Sequence, residues 1–196
     1  MKIIFATNNA HKLSEVQEML GERFRLVTPR ECGVTEEIPE EEPTLEGNAL
    51  EKARYLYRRT GADCFADDTG LEVDALGGAP GVRSARYAPG EGHDFAANTA
   101  FLLKNMEQVP DGERTARFRT VIALILGGRE YLFEGETRGV ILRAPDGEGG
   151  FGYDPVFLPD GCDRTFARMD THAKNAISHR GRAVARLAAF LKERFA

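Results

Sequence analysis

Two adjacent carboxylates, Asp67 and Asp68, followed by Thr69 and Gly70, are the residues of this chain with the most direct chemical use. A carboxylate pair suits Mg²⁺, a hard cation that takes one or two carboxylate oxygens together with substrate phosphate oxygens and water. One of the two can then hold metal while activating a water molecule. The same four residues are also an ordinary turn composition, with Asp side chains bonding the backbone, and both readings stand at this level. A second group, Thr7, Asn8, Asn9, Ala10, His11 and Lys12, has the composition of a polar turn opening a helix. Backbone N–H groups and the helix dipole would face an anion there, with Lys12 adding a full charge, although an Asn helix cap also explains the turn.

Phe151-Gly152-Tyr153-Asp154 couples two aromatic rings with a carboxylate behind a glycine-rich loop. That combination suits stacking on a base and bonding its edge, and the rings suit a hydrophobic core as well. Lys174, Ser178, His179 and Arg180 form a donor-rich cluster at the entrance of the last helix, with Ser178 as a candidate cap. The acidic block Glu36, Glu37, Glu40, Glu41 and Glu42 reads either as a solvated loop or as a loop that supplies a metal carboxylate. Lys52, one helical turn after Asn48, is on its own an ordinary surface lysine. His11, His93, His172 and His179 show no His-x-x-x-His spacing, so a histidine zinc site has little support. Asp68-Thr69-Gly70 matches the Asp-Thr-Gly of aspartic proteases, but that chemistry needs two apposed carboxylates and the chain has one copy.

The elements that must position these groups follow from periodicity. Lys2 to Ala6 reads as a buried strand, and Leu13, Val16 and Leu20 recur at helical spacing until Gly21. A second helix is expected from a Thr44 cap to Gly61, then a short strand from Cys64 to Ala66, which puts the acid pair at a strand's C-terminal end. Asp94 is a candidate cap for a helix carrying Phe95, Leu102, Leu103 and Met106. Thr120 to Leu126, Gly127-Gly128 and Arg129 to Glu134 form a hairpin signal, with Thr137 to Leu142 as a third strand of a meander. The last helix presents Val184, Leu187, Ala188, Leu191 and Phe195. Helices and strands alternate first, and strands then cluster, so a mixed α/β sheet flanked by helices is the economical architecture.

The 196 residues suffice for a real core in one domain, 1–196, without disulfides or structural metal. The three cysteines form no Cys-x-x-Cys pair, which fits a reducing cytoplasm. The opening apolar run is too short for a signal-peptide core, and no run approaches the ~20 apolar residues of a membrane span. A net charge of -5 opposes non-specific attraction to nucleic acid but leaves room for a small anionic ligand met by local cations.

Six ordered blocks then resemble the inosine triphosphate pyrophosphatase family. They are Ala6 to Lys12, Glu46 to Arg54, Ala66 to Leu71, Leu76 to Tyr87, Gly150 to Pro155 and Lys174 to Arg180. The resemblance implies an elongated mixed sheet in two lobes with a central cleft, a homodimer, and Mg²⁺-dependent hydrolysis of nucleoside triphosphates with faulty 6-keto purine bases to monophosphate and pyrophosphate. It matches Thr7, Asn9, Lys12 and Lys52 to phosphate binding, with Asn8, Ala10 and His11 in the same stretch, Asp68 to metal and proton acceptance, and Thr69 to substrate contact. Phe151, Gly152, Tyr153, Asp154, Lys174, His179 and Arg180 match the base-binding set. Glu40 is the candidate for the second metal carboxylate, with Glu41, Glu42 and Asp67 as alternatives. On this likeness Phe151 and Tyr153 stack on the base while Lys174, His179 or Arg180 donates to its O6. A related pyrophosphatase acting on other altered nucleotides, and a non-catalytic nucleotide sensor, are the rival readings.

Overall fold

The computed structural model describes residues 1–7, 9–90 and 94–195, with the side chain of His11 also outside the description. In chain order the elements are β1 (Lys2–Phe5), α1 (Ala10–Leu20), β2 (Arg25–Val27), α2 (Leu45–Thr60), β3 (Cys64–Val73) and β4 (Pro80–Gly81). They continue as α3 (Phe95–Asn105), β5 (Thr115–Leu126), β6 (Arg129–Ile141), β7 (Phe157–Pro159), α4 (Thr171–Ile177) and α5 (His179–Arg194). The strands follow the order β2-β1-β3-β5-β6-β7, with β4 paired to β3. Pairing is parallel for β1 with β2 and β3, and antiparallel for β3 with β4 and β6 with β7, so the sheet is mixed as the sequence indicates.

The chain divides into two compact units. The first comprises Met1–Asp68, Thr120–Gly135 and Arg180–Ala196, the second Thr69–Arg119 and Glu136–His179. In the first, Val16 and Leu20 of α1 and Val184, Leu187 and Leu191 of α5 form one apolar cluster with Ile3, Phe5, Phe65, Ile122 and Leu124 of the strands. The 3.6-residue stripes of the helices meet strands whose residues are buried on both faces, the signature of a central sheet position. Phe195, expected on the apolar face of α5, is instead exposed beyond its end. Gly127 and Gly128 join β5 to β6 with φ of 56° and 76°, a left-handed pair that a two-residue hairpin requires. In the second unit the cluster is Leu71, Val73, Leu102, Met106, Phe118, Ile141, Tyr153, Val156, Phe157 and Phe166. Buried Arg114 closes it by donating to the carbonyls of Met106, Ile141 and Leu142, which anchors the C-terminal end of α3.

Capping signals were good guides. Thr44 accepts from the Gly47 N–H and Asp94 from the Ala97 N–H, as the sequence indicates, and Gly61 ends α2 with φ 63°. Three expectations change. β3 runs on through Asp67-Asp68-Thr69-Gly70 to Val73, so the acid pair lies mid-strand rather than at a strand end. β6 is one continuous strand through Gly135, not two. Ser178 follows α4, whose last turn its N–H closes onto the Lys174 carbonyl, so Lys174 belongs to a separate short helix rather than to the entrance of the last one.

Candidate functional site

Mid-strand placement decides what the two aspartates can do. Successive side chains of a strand point to opposite faces, so Asp67 and Asp68 take different partners. Asp67, 3% exposed at its side chain, takes the Lys12 ammonium on both oxygens at 3.0 and 3.1 Å, and the Arg180 Nε lies 3.7 Å away. Arg180 also donates to Glu15 Oε2 at 3.0 Å. Asp68 instead meets α2: the Asn48 amide donates to Oδ2 at 3.1 Å and the Lys52 ammonium to Oδ1 at 3.2 Å. Lys52 donates to Glu40 Oε1 as well, at 2.8 Å, so a single buried ammonium serves two carboxylates. The Asn48 side-chain carbonyl accepts from the Glu42 N–H, tying the acidic loop to the same helix turn.

The four titrating groups are tuned in different directions. Burial pushes the Asp67 carboxyl up, but the charges of Lys12, Arg180 and Lys52 outweigh it and hold the group below the usual carboxylate range. Burial pulls the Lys12 ammonium down, and Asp67 only partly offsets burial and the neighbouring cations. For Lys52, burial is outweighed by Asp68, Glu40 and Asp67, and the net shift is upward. For Asp68, burial dominates over Lys52 and Asn48, and Glu40 adds to it, so its carboxyl titrates above the usual value. Asp68 and Glu40 present hard oxygens around the one Lys52 ammonium. That is a donor set a divalent ion of the Mg²⁺ kind fits, completing its shell with phosphate oxygens and water. Among the described residues no three His, Cys, Asp or Glu gather as a metal-holding group. Of the acidic block, Glu40, Glu41 and Glu42 are all exposed, and Glu40 shares Lys52 with Asp68.

Ahead of α1, the Asn9 side chain accepts from the Lys12 N–H at 3.2 Å and Thr7 Oγ1 from the Asn9 N–H at 3.1 Å, so Asn9 does act as the helix cap. Ala10 is the exposed first residue of α1. Asn8 and the His11 side chain lie outside the described residues.

The second unit holds most of the expected base set. Asp154 accepts from the Lys174 ammonium at 2.7 Å and from the Phe151 N–H at 2.9 Å, both on Oδ2. A Cβ at Gly150, where φ is 73°, would run into that carboxylate, so glycine is what lets the loop pass. The Lys174 ammonium lies over the Phe151 ring, 4.8 Å from its centroid. Tyr153 is 3% exposed, inside the core, and donates its hydroxyl to the Ser84 carbonyl at 2.7 Å; burial pushes that phenol up. His179 is also 3% exposed, with its ring stacked on Phe118 at 4.6 Å and 15°. Gly152 and Thr69 are half-buried. Of the two aromatics expected to stack, Phe151 is the one with surface to offer.

Arg180 has its ion pairs with residues of the first unit. The unit boundary falls between His179 and Arg180, as it does between Asp68 and Thr69, and Arg180 sits in the first unit with Asp67 and Glu15. The i, i+4 spacing of Asn48 and Lys52, legible in the sequence, puts both on the α2 face that meets Asp68, whereas the sequence reading gave no sign of Glu15 as the partner of Arg180.

A mixed α/β sheet with anion-compatible cations and carboxylates where the first parallel strand ends defines a ligand-binding α/β protein of the open-sheet class. The chain belongs to the Ham1 family, which matches residues 3–190. It is 53% identical over 190 residues, 97% of each chain, to the dITP/XTP pyrophosphatase of Porphyromonas gingivalis. It is 48% identical over 187 residues, 95% of this chain and 96% of the other, to that of Flavobacterium johnsoniae. Among solved structures, a HAM1 protein from Coxiella burnetii superposes with a TM-score of 0.91 at 39% identity, covering 98% of this chain and 99% of that one.

Proposed function

We propose that this chain hydrolyses nucleoside triphosphates carrying faulty 6-keto purine bases, ITP, dITP and XTP, to the monophosphate and pyrophosphate. The observation that carries the reading is the Lys52 ammonium shared by Glu40 and Asp68, beside the Lys12–Asp67–Arg180 cluster, in a chain of this family. Asp68 accepts a proton from the attacking water as the bond from its oxygen to the α-phosphorus forms. The bond from that phosphorus to the bridging oxygen breaks, and the electron pair leaves with pyrophosphate. Lys12 and Lys52 neutralise the departing β- and γ-phosphates. Mg²⁺, held by Asp68 and Glu40, would lower the pKa of that water and neutralise phosphate charge. Asp67 holds Lys12 and Arg180 in place rather than touching the reacting water.

In the second unit, Phe151 offers a stacking surface and Lys174, which has donors to spare beyond its bond to Asp154, donates to the base O6. Adenine presents an amino donor at that position, which sets donor against donor and costs on the order of 10² to 10⁴ in kcat/KM. GTP shares O6 and N1–H, so its rejection rests on the 2-amino group. Residues 1–196 are taken as one catalytic module. The family likeness supports a homodimer in a reducing cytoplasm, and light scattering tests the dimer. The activity is tested by incubating the protein with ITP and Mg²⁺ and resolving the products by phosphorus NMR. IMP and pyrophosphate are expected; IDP and orthophosphate as primary products contradict the reading.

A further inference from the structure

Phe95 is the first residue of α3 and one of the few large apolar side chains left in solvent, 42% exposed. A single exposed phenylalanine needs no explanation by itself. Its neighbour is what makes this one informative. The Phe95 ring lies 6.2 Å from the Phe151 ring, centroid to centroid, inclined at 48°. One helical turn further along the same face of α3, Thr99 donates its hydroxyl to the Gly152 carbonyl at 3.3 Å. This face is therefore fastened to the loop that carries Phe151, and Phe95 is its exposed end. The helix is fixed in turn: Asn98 accepts from the Ala88 N–H at 2.7 Å and donates to the Ala85 carbonyl at 3.0 Å. Neither the family-like blocks nor the base set contains Phe95.

We propose that Phe95 is a further substrate-contacting residue, whose exposed ring joins that of Phe151 to form a two-ring apolar corner receiving the flat face and edge of the base. The inference rests on the reading that Phe151 and Lys174 meet a base. Two inclined rings give a flat heteroaromatic one surface to stack on and one to meet edgewise, both geometries that aromatic pairs favour. Every base has such a face, so the contact adds affinity without choosing among purines. Selection is left to the polar edge that Lys174 supplies.

The chain contains no tryptophan, so Phe95→Trp creates a single fluorescent reporter. It would be titrated, with chelator present, against IMP and separately against inorganic pyrophosphate, while calorimetry follows IMP binding to the wild type. Saturable quenching by IMP with no response to pyrophosphate is expected. Phe95→Ala should raise KM for ITP and for XTP alike, by about tenfold, with kcat little changed. If IMP binds the wild type but leaves the indole fluorescence of Phe95→Trp unmoved, or if Phe95→Ala keeps its KM, the proposal is overturned. Indole fluorescence that follows protein concentration rather than IMP would also overturn it, assigning the ring to a contact between copies. Failure of the parent reading looks different: the wild type then releases no pyrophosphate from ITP.

Discussion

The two sets of candidate site residues hold their charged groups in opposite ways. In the first, Lys52 is shared by Asp68 and Glu40, Arg180 by Glu15 and Asp67, and Asp67 by Lys12 and Arg180, so the ion pairs overlap. In the second, one ammonium, Lys174, is locked to one carboxylate, Asp154, under aromatic rings. On the proposed reading, a ligand end carrying several negative charges and a metal would be met by a network whose pairs can be exchanged. A neutral base would be met by a fixed, nearly neutral pair that presents directional donors. The contrast teaches that burial of a charge has two uses: storing exchangeable charge, and fixing hydrogen-bond polarity.

The largest effect expected from breaking this contrast is on stability. Asp67→Asn leaves Lys12 without its buried counter-charge and takes one carboxylate from Arg180, which keeps Glu15, and should cost roughly 3–5 kcal/mol, seen as a Tm lower by about 6 °C or more in calorimetry. Its neighbour behaves differently. Asp68→Asn should lower kcat by roughly 10² or more, since the proton acceptor and metal ligand is lost, while Tm is held or raised because an ionised carboxylate is removed from a site that disfavours it.

The pH dependence separates the two further. The folded Asp68 titrates above its unfolded value, so its ionisation costs stability once pH rises past the ordinary carboxylate range, and that cost is absent below about pH 4. Any Tm advantage of Asp68→Asn should therefore be present at pH 7 and vanish by about pH 3–4. The folded Asp67 titrates below its unfolded value, so its contribution is present above the ordinary range and lost only as pH falls through the depressed value. The Tm deficit of Asp67→Asn should accordingly persist at pH 4 in a thermal melt series. A smaller effect is expected at Asn48, which holds Asp68 and the acidic loop together. Asn48→Ala should raise the Mg²⁺ concentration for half-maximal activity by a few-fold, as loss of an outer hydrogen bond to a ligating carboxylate does, and a metal titration of initial rates checks it.

Much of this was legible in the sequence. Helices announced themselves by stripe and cap: α1, α2 and α3 begin and end close to where Gly21, Thr44, Gly61 and Asp94 indicate. The short strands β2, β4 and β7 carry too few residues to show a period. Asp67-Asp68 broke the apolar run and so read as a strand end, yet β3 continues because Lys12 and Lys52, from two helices, compensate the two charges. Gly135 hid the continuity of β6 in the same way. The acidic loop leaves Glu40, Glu41 and Glu42 indistinguishable by sequence, and the structure pairs Glu40 with Lys52. Arg180 stands next to His179 in the sequence, and adjacency suggested one role for both. The backbone instead sends His179 into the core against Phe118 and Arg180 to Asp67.

That last separation gives the most direct test of the division between the two sets. kcat/KM would be measured for ITP, XTP, GTP and ATP on the wild type and on Lys12→Ala, Arg180→Ala and Lys174→Met. Lys12→Ala and Arg180→Ala should slow all four nucleotides by a common factor, because both side chains belong to the cluster assigned to the phosphates. Lys174→Met should narrow the lead of ITP over ATP by about tenfold or more. If Arg180→Ala narrows that lead instead, or if Lys174→Met slows every nucleotide equally, the assignment of charge handling to one set and base reading to the other is contradicted.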